Sequence, residues 1–220
     1  MRLGMKPHGA AGLLITFCGL DGSGKTTMIR MLAEHLESIG QPALLTKQPT
    51  DLVRGSGIFR AFADRPENGA YEYRALSLLC ASDRVQHCGR VILPALKEGR
   101  AVVSDRYFYS CVANLRARGY TEDRWVYEIA ESIIRPDAAF FLDVSVETAV
   151  GRARGRPEEK GRYIDVPLQH RLRKEYLALA AENEGIVLDG SGPASSAFAK
   201  IKQAVERLLQ TRGDGGRGRS

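Results

Sequence analysis

The sequence predicts an α/β fold, a doubly wound five-stranded parallel sheet with helices on both faces. Three observations predict it. Short apolar runs recur along the chain, and each gives way to a longer segment whose apolar residues have helical spacing. The first run stops at a glycine-rich turn that opens directly on such a segment. The 220 residues suffice for one domain with a buried sheet and do not demand a second. Right-handed crossovers then distribute the helices over both faces.

The first strand is Leu13 to Cys18, ended by Gly19. In the helix predicted over Lys25 to Ile39, Met28, Ile29, Leu32, Leu36 and Ile39 share one stripe, and Gly40 ends it. Ala43 to Thr46 is the second strand, closed by Pro49. A short helix over Asp51 to Phe62 is interrupted by Gly55 and Gly57, and a long one spans Tyr71 to Leu96 with Pro94 in its last turn. Gly99 separates it from the third strand, Ala101 to Ser104. Asp123 to Ile134 is helical and Ala138 to Leu142 is the fourth strand. Val146 to Arg152 begins a helix that runs into an Arg-, Gly- and Pro-containing stretch, 154–162. Leu168 to Glu182 is helix, Ile186 to Leu188 the fifth strand, and Ala194 to Leu209 the last helix. Residues 1–11 are expected as a loose leader and 12–210 as a single domain. Residues 211–220, rich in Gly and Arg, are expected as a disordered basic tail.

With 44% hydrophobic and 26% charged residues, the composition excludes a disordered or fibrous chain. No apolar run approaches the roughly 20 residues of a membrane helix, and the opening residues lack the apolar core of a signal peptide. No membrane partner is therefore expected, and a cytoplasmic setting is. The net charge of +6 suits an anionic partner. Arginines gather between Arg152 and Arg173, not along one long helix. That suits a loop gripping small phosphates better than a surface reading a nucleic-acid polymer. Cys18, Cys80, Cys88 and Cys111 have no zinc-site spacing and are expected as reduced thiols.

Gly19-Leu20-Asp21-Gly22-Ser23-Gly24-Lys25-Thr26-Thr27 matches the phosphate-loop pattern G-x-x-x-x-G-K-[ST] in full, between a strand and a helix. The glycines let backbone N–H groups turn inward around a phosphate where side chains would clash, and the helix N-terminus adds its partial positive charge. Lys25 is placed for the β- and γ-phosphates of ATP, and the Thr26 hydroxyl for Mg²⁺. The loop implies nucleotide binding only; a GTPase, a motor or a small-molecule kinase all fit it. The third strand runs into Asp105-Arg106-Tyr107. At the carboxyl end of a parallel strand, Asp105 faces the crevice beside the loop, where it can serve Mg²⁺, and Arg106 can bridge donor and acceptor phosphates. Lys47 and Arg54 are either acceptor-phosphate cations or plain surface cations. Tyr163 and Asp165 follow the 154–162 stretch and can help close the site. His35, His87 and His170 have no partner pattern and no assigned chemistry.

At these residues the chain resembles the thymidylate kinase family of P-loop nucleoside monophosphate kinases, over roughly residues 12–210. The resemblance is carried by the phosphate loop with its Asp21, by Leu78-Leu79-Cys80-Ala81-Ser82-Asp83-Arg84, by Asp105-Arg106-Tyr107 with Ser110 and Ala113, and by Phe141-Leu142-Asp143-Val144 leading to Arg152-Ala153-Arg154-Gly155-Arg156. It implies ATP-dependent conversion of dTMP to dTDP with Mg²⁺. It also implies that Asp21 contacts the acceptor sugar, Arg84 reads the acceptor base, and Arg152 stacks on adenine. A lid at about 152–163 would carry Arg154 and Arg156 to the transferring group, and backbone around Asp189 would wrap the adenine. Family members are commonly homodimers, so a homodimer is implied. A kinase of another nucleotide or of a non-nucleotide phosphorylated acceptor uses the same scaffold, and a nucleotide-binding regulator without turnover is the reading from another class.

The acceptor side departs from the family pattern. Cys80 stands where a stacking Phe is usual, and Asn114 where an aromatic wall against a 2′-hydroxyl is usual. Lys47-Gln48-Pro49-Thr50 replaces Arg-Glu-Pro-Gly. A lost ring face forfeits roughly 1–3 kcal/mol of stacking. Tyr71, Tyr73, Phe59 and Tyr107 are the candidates for a substitute ring.

Overall fold

The computed structural model describes residues 1–64, 71–156 and 163–217. Five parallel strands, β1 (Leu14–Gly19), β2 (Ala43–Lys47), β3 (Ala101–Asp105), β4 (Ala138–Asp143) and β5 (Ile186–Asp189), lie in the order β2-β3-β1-β4-β5. The predicted sheet is the observed one. β1 is central, with Ile15 opposite Val103 on one side and Ala138 on the other. Its side chains alternate between the two faces of the sheet. Leu14 and Cys18 enter one buried cluster, and Ile15 and Phe17 enter the other.

The second cluster is closed by α1 (Lys25–Ser38) and α10 (Ala194–Arg217). The first is closed by α4 (Tyr73–His87), α6 (Phe108–Ala117) and α9 (Val166–Glu182). Between β2 and α4 lie α2 (Asp51–Arg54) and α3 (Gly57–Asp64), the helix expected as interrupted at Gly55. The expected long helix is also divided. After α4 comes a wide π-turn, Cys88–Ile92, and then α5 (Leu93–Lys97). Pro94 explains the wide turn, because its ring removes one N–H and crowds the carbonyl a turn earlier. The helix expected over Asp123 to Ile134 is shorter, α7 (Trp125–Ala130), and α8 (Val146–Arg154) opens on a Ser145 hydroxyl that caps Thr148 N at 3.1 Å.

Three expectations are corrected. Helix α6 was not predicted. Phe108 to Ala113, Leu115 and Ala117 are all buried, because α6 lies between α4, α9 and β1. A helix buried over most of its surface shows no clean apolar stripe. The opening residues are not a loose leader: Leu3 and Met5 are buried, Leu3 N donates to Asn183 Oδ1 at 2.8 Å, and Lys6 pairs with Ile134. The chain after Leu209 is not irregular as far as it is described. Helix α10 continues to Arg217, and Arg212 donates to the carbonyls of Ala10, Ala11 and Gly12 and pairs with Asp137 at 2.5 Å. Residues 218–220 and the 157–162 part of the expected lid lie outside the described residues.

Candidate active site

The turn from β1 into α1 is built from backbone. Gly19, Gly22 and Gly24 have φ of 138°, 83° and 100°, conformations that side chains resist. A Cβ on Gly22 would meet the Ala149 carbonyl oxygen at 2.1 Å, so the loop is seated directly against α8. A side chain at position 22 therefore has no room. A Cβ on Gly190 would meet Ser23 O at 2.8 Å, which shows how closely the loop after β5 packs on the same turn.

Lys25 is buried, and its ammonium donates to Gly19 O at 3.2 Å and Leu20 O at 2.7 Å. Burial, reinforced by the Arg106 charge, brings its pKa down to about 8. Thr26 is exposed on the cleft, and Thr27 is exposed beside it. Ser23 is fully buried, with an Oγ that lacks a partner.

Beside the loop, β3 delivers Asp105 and Arg106. Arg106 adopts φ of 67°, the left-handed region, at a cost of roughly 1–2 kcal/mol for a residue with a Cβ. Its N–H donates to Phe17 O and its carbonyl accepts from Ser104 Oγ, each at 2.8 Å, which holds the turn. The strained backbone aims the guanidinium back across the strands. Nη1 donates to Gly19 O at 3.3 Å and to Tyr176 OH at 2.9 Å, and Nη2 to Asp21 Oδ1 at 2.5 Å. Burial opposes the charge, but Asp21, Tyr176 and Asp105 outweigh it and raise the pKa, so Arg106 is a fixed cation. Asp105 Oδ2 lies 3.7 Å from Lys47 Nζ, and Oδ1 is buried without a hydrogen-bond partner. An orphaned carboxylate oxygen in the same cleft as an exposed threonine fits a divalent ion, which would take its remaining ligands from phosphate oxygens and water.

These residues line one side of a cleft of about 530 Å³. The other side is where the acceptor is expected. Lys47, Arg54, Phe59, Phe62, Tyr73, Cys80, Arg84, Asn114 and Arg118 line it. Arg54 is tied through Nε to Pro49 O at 2.7 Å. The loop after β2 is fastened to α4 by buried polar groups. Asp83 accepts from Thr50 N at 2.9 Å and from its hydroxyl, and the His87 ring lies between Thr46 Oγ1 and Gln48 Nε2. His87 thus has a structural role, and burial lowers its pKa.

The family model described as thymidylate kinase matches residues 17–201. The chain belongs to the thymidylate kinase family. A probable thymidylate kinase of Pyrococcus horikoshii is 40% identical over 173 residues, covering 77% of this chain and 83% of its own. Another, from Thermococcus kodakarensis, is 36% identical over 203 residues, 90% and 98% of the two chains. A thymidylate kinase of Cereibacter sphaeroides is 34% identical over 212 residues, 91% and 97%.

Within this thymidylate kinase fold the expected site residues are unevenly gathered. The loop residues Gly19, Asp21, Gly22, Gly24, Lys25 and Thr26, together with Asp105, Arg106, Arg84, Cys80, Asn114 and Arg156, line one cleft. Arg152 lies at its rim, donating to Gly190 O at 2.9 Å. Asp189 is turned to the Ser191 N–H and hydroxyl. Arg154 and Tyr163 are exposed and stand outside the cleft lining. Of the four candidate rings, Phe59 and Tyr73 line the cleft, whereas Tyr107 is buried against Cys88 and Ile134 O and Tyr71 is exposed and not part of the lining. Phe62, Arg118, Gln169 and Tyr176 were not anticipated. For Arg118 a signal existed: it lies four residues after Asn114, one helical turn along the same face.

Proposed function

We propose that the chain transfers the γ-phosphoryl group of ATP to the phosphate of dTMP, giving dTDP and ADP. The observation that carries the reading is Arg106. One guanidinium contacts the phosphate-loop backbone at Gly19, the loop acid Asp21, and Tyr176, whose hydroxyl in turn donates to Ser110 Oγ on α6. A cation so fixed can neutralise charge on both phosphates at once, which is the main demand of phosphoryl transfer.

The acceptor phosphate is ionised at neutral pH and is itself the nucleophile, so the site needs no strong general base. Lys25, freed from the Gly19 and Leu20 carbonyls, turns to the β- and γ-phosphates. The loop N–H groups and the α1 terminus hold the donor. Arg106 aligns donor with acceptor, and Arg156 enters from the lid side. Closure there excludes water, the competing acceptor. Asp105 and Thr26 would hold Mg²⁺, which supplies further charge neutralisation at the phosphates. The homodimer implied by the family is supported by Leu78, Val85 and Val91, exposed apolar residues on α4 and the π-turn. Four free cysteines support a cytoplasmic setting.

The test is an acceptor screen by ADP release with dTMP, dUMP, UMP, CMP and non-nucleotide phosphates. dTMP is expected to give the highest kcat/KM. Turnover of a non-nucleotide acceptor alone, or ATP binding without any acceptor-dependent turnover, would overturn the reading.

A further inference from the structure

The polar groups at the acceptor end of the cleft form an unbalanced set. Helix α6 presents Ser110, Cys111, Asn114 and Arg118 to the cleft. The eight-residue step from Ser110 to Arg118 rises about 12 Å, comparable to the reach from phosphate to base in a nucleoside monophosphate. Asn114 is tied into the wall through both of its polar atoms: Nδ2 donates to Ser110 O at 2.9 Å, and Oδ1 accepts from Arg118 Nη1 at 2.6 Å. Arg118 Nη1 also reaches Asn114 O at 3.2 Å, and the guanidinium lies 3.9 Å from the Tyr73 ring centroid. Held from two sides, this guanidinium keeps Nε and Nη2, which make no hydrogen bond among the described residues. On the other wall Arg84, only 2% exposed, gives Nη1 to Cys80 O at 2.8 Å and leaves Nε buried and unpartnered. Nearby oxygens already accept: Cys80 O from Arg84, Ser110 O from Asn114, Ser110 Oγ from Tyr176. The α4 carboxylate, Asp83, is turned to Thr50. The base end of the cleft is therefore rich in idle donors and poor in idle acceptors.

We propose that Arg118 is a specificity-determining residue that reads the acceptor base. Together with Arg84 it selects a base with carbonyl oxygens on its edge, a keto pyrimidine, over one with an exocyclic amino group. The inference rests on the nucleotide-kinase reading above. A carbonyl oxygen gives an idle N–H its partner, whereas an amino group sets donor against donor and leaves both desolvated and unpaired. Tyr73 and Asn114 act as positioning residues, because they fix the guanidinium without engaging the base through their own polar atoms. A merely structural Arg118, capping the carboxyl end of α6 through Asn114 O, would change stability without changing the choice between bases.

The experiment measures kcat and KM with ATP and each of dTMP, dUMP and dCMP for the full chain and for Arg118→Met and Arg118→Lys, alongside thermal melts. Arg118→Met is expected to raise KM for dTMP and dUMP about 10- to 100-fold, the worth of one charged hydrogen bond. It should narrow the dTMP-to-dCMP preference correspondingly and leave KM for ATP unchanged. Arg118→Lys should recover part of the preference. An unchanged dTMP-to-dCMP ratio in a folded Arg118→Met overturns the proposal. Should that variant not fold, Asn114→Ala keeps the guanidinium and removes its anchor; a smaller fall in the same ratio supports the proposal and no change overturns it. A wild type that turns over dCMP as well as dTMP overturns the role of Arg118 and leaves the nucleotide-kinase reading standing. A wild type that turns over none of the three overturns both.

Discussion

Between Gly19 and Thr26 the cleft is shaped by main chain: three glycines at positive φ, and one lysine folded back on the loop carbonyls. Between Tyr73 and Arg118 it is shaped by side chains projecting from two helices whose backbones are regular. The two ends tolerate change differently for that reason. A side chain at Gly22 strikes the backbone of α8 at Ala149, which cannot yield without moving the helix. At Cys80 or Asn114 a different side chain alters what the pocket touches and leaves the fold alone. The departures that the resemblance implies at Cys80, Asn114 and Thr50 accordingly fall at the end built from side chains.

That contrast can be broken in three ways. The largest expected effect is at Lys25. Lys25→Ala should lower kcat on the order of 10³-fold or more, in line with transition-state cations elsewhere, with the melting temperature little changed. Near-normal turnover in the variant would detach the loop from catalysis and remove the contrast.

A much smaller effect is expected at the acceptor end. Phe59, Phe62 and Tyr73 already line the cleft, with Phe62 and Tyr73 in edge contact at 5.3 Å. Restoring a ring by Cys80→Phe should therefore lower KM for dTMP by less than about tenfold, below the top of the range for one stacked base. A gain near a hundredfold would mean that none of these three rings faces the base.

The smallest signal sharpens the account of the donor loop. In the free protein the Lys25 pKa is lowered by burial to about 8, against 10.5 for an ordinary lysine. Between about pH 8 and 10.5 the folded protein has lost a proton that the unfolded chain retains, so stability rises with pH over that window as the cost of the buried charge is relieved. ATP phosphates favour the ammonium again, so binding should take up a fraction of a proton between about pH 8 and 10. Calorimetry in two buffers of different ionisation heat measures it. The uptake should vanish in Lys25→Met, and persistence there would assign the proton to another group.

The phosphate loop was legible in the sequence because a local run of glycines, one lysine and one threonine between strand and helix encodes its geometry with little help from elsewhere. Asp105 and Arg106 were legible because their place follows from the strand end. The acceptor wall was only half legible. Cys80, Arg84 and Asn114 could be located by their resemblance to a family pattern, but nothing local marked Tyr176, which approaches Arg106 from 70 positions away. Helix α6 itself was missed because burial over most of its surface blurs the stripe that identifies a helix.

By itself, then, the sequence determined the alternation of strands and helices, the order of chemistry along the chain, and the donor loop, since each depends on spacing within a few residues. The tertiary structure alone decided how the distant parts combine. It packed the opening residues and the end of α10 against each other. It set Arg106 between Asp21 and Tyr176. Those contacts join segments far apart in the chain, and no local periodicity carries the information that they will meet.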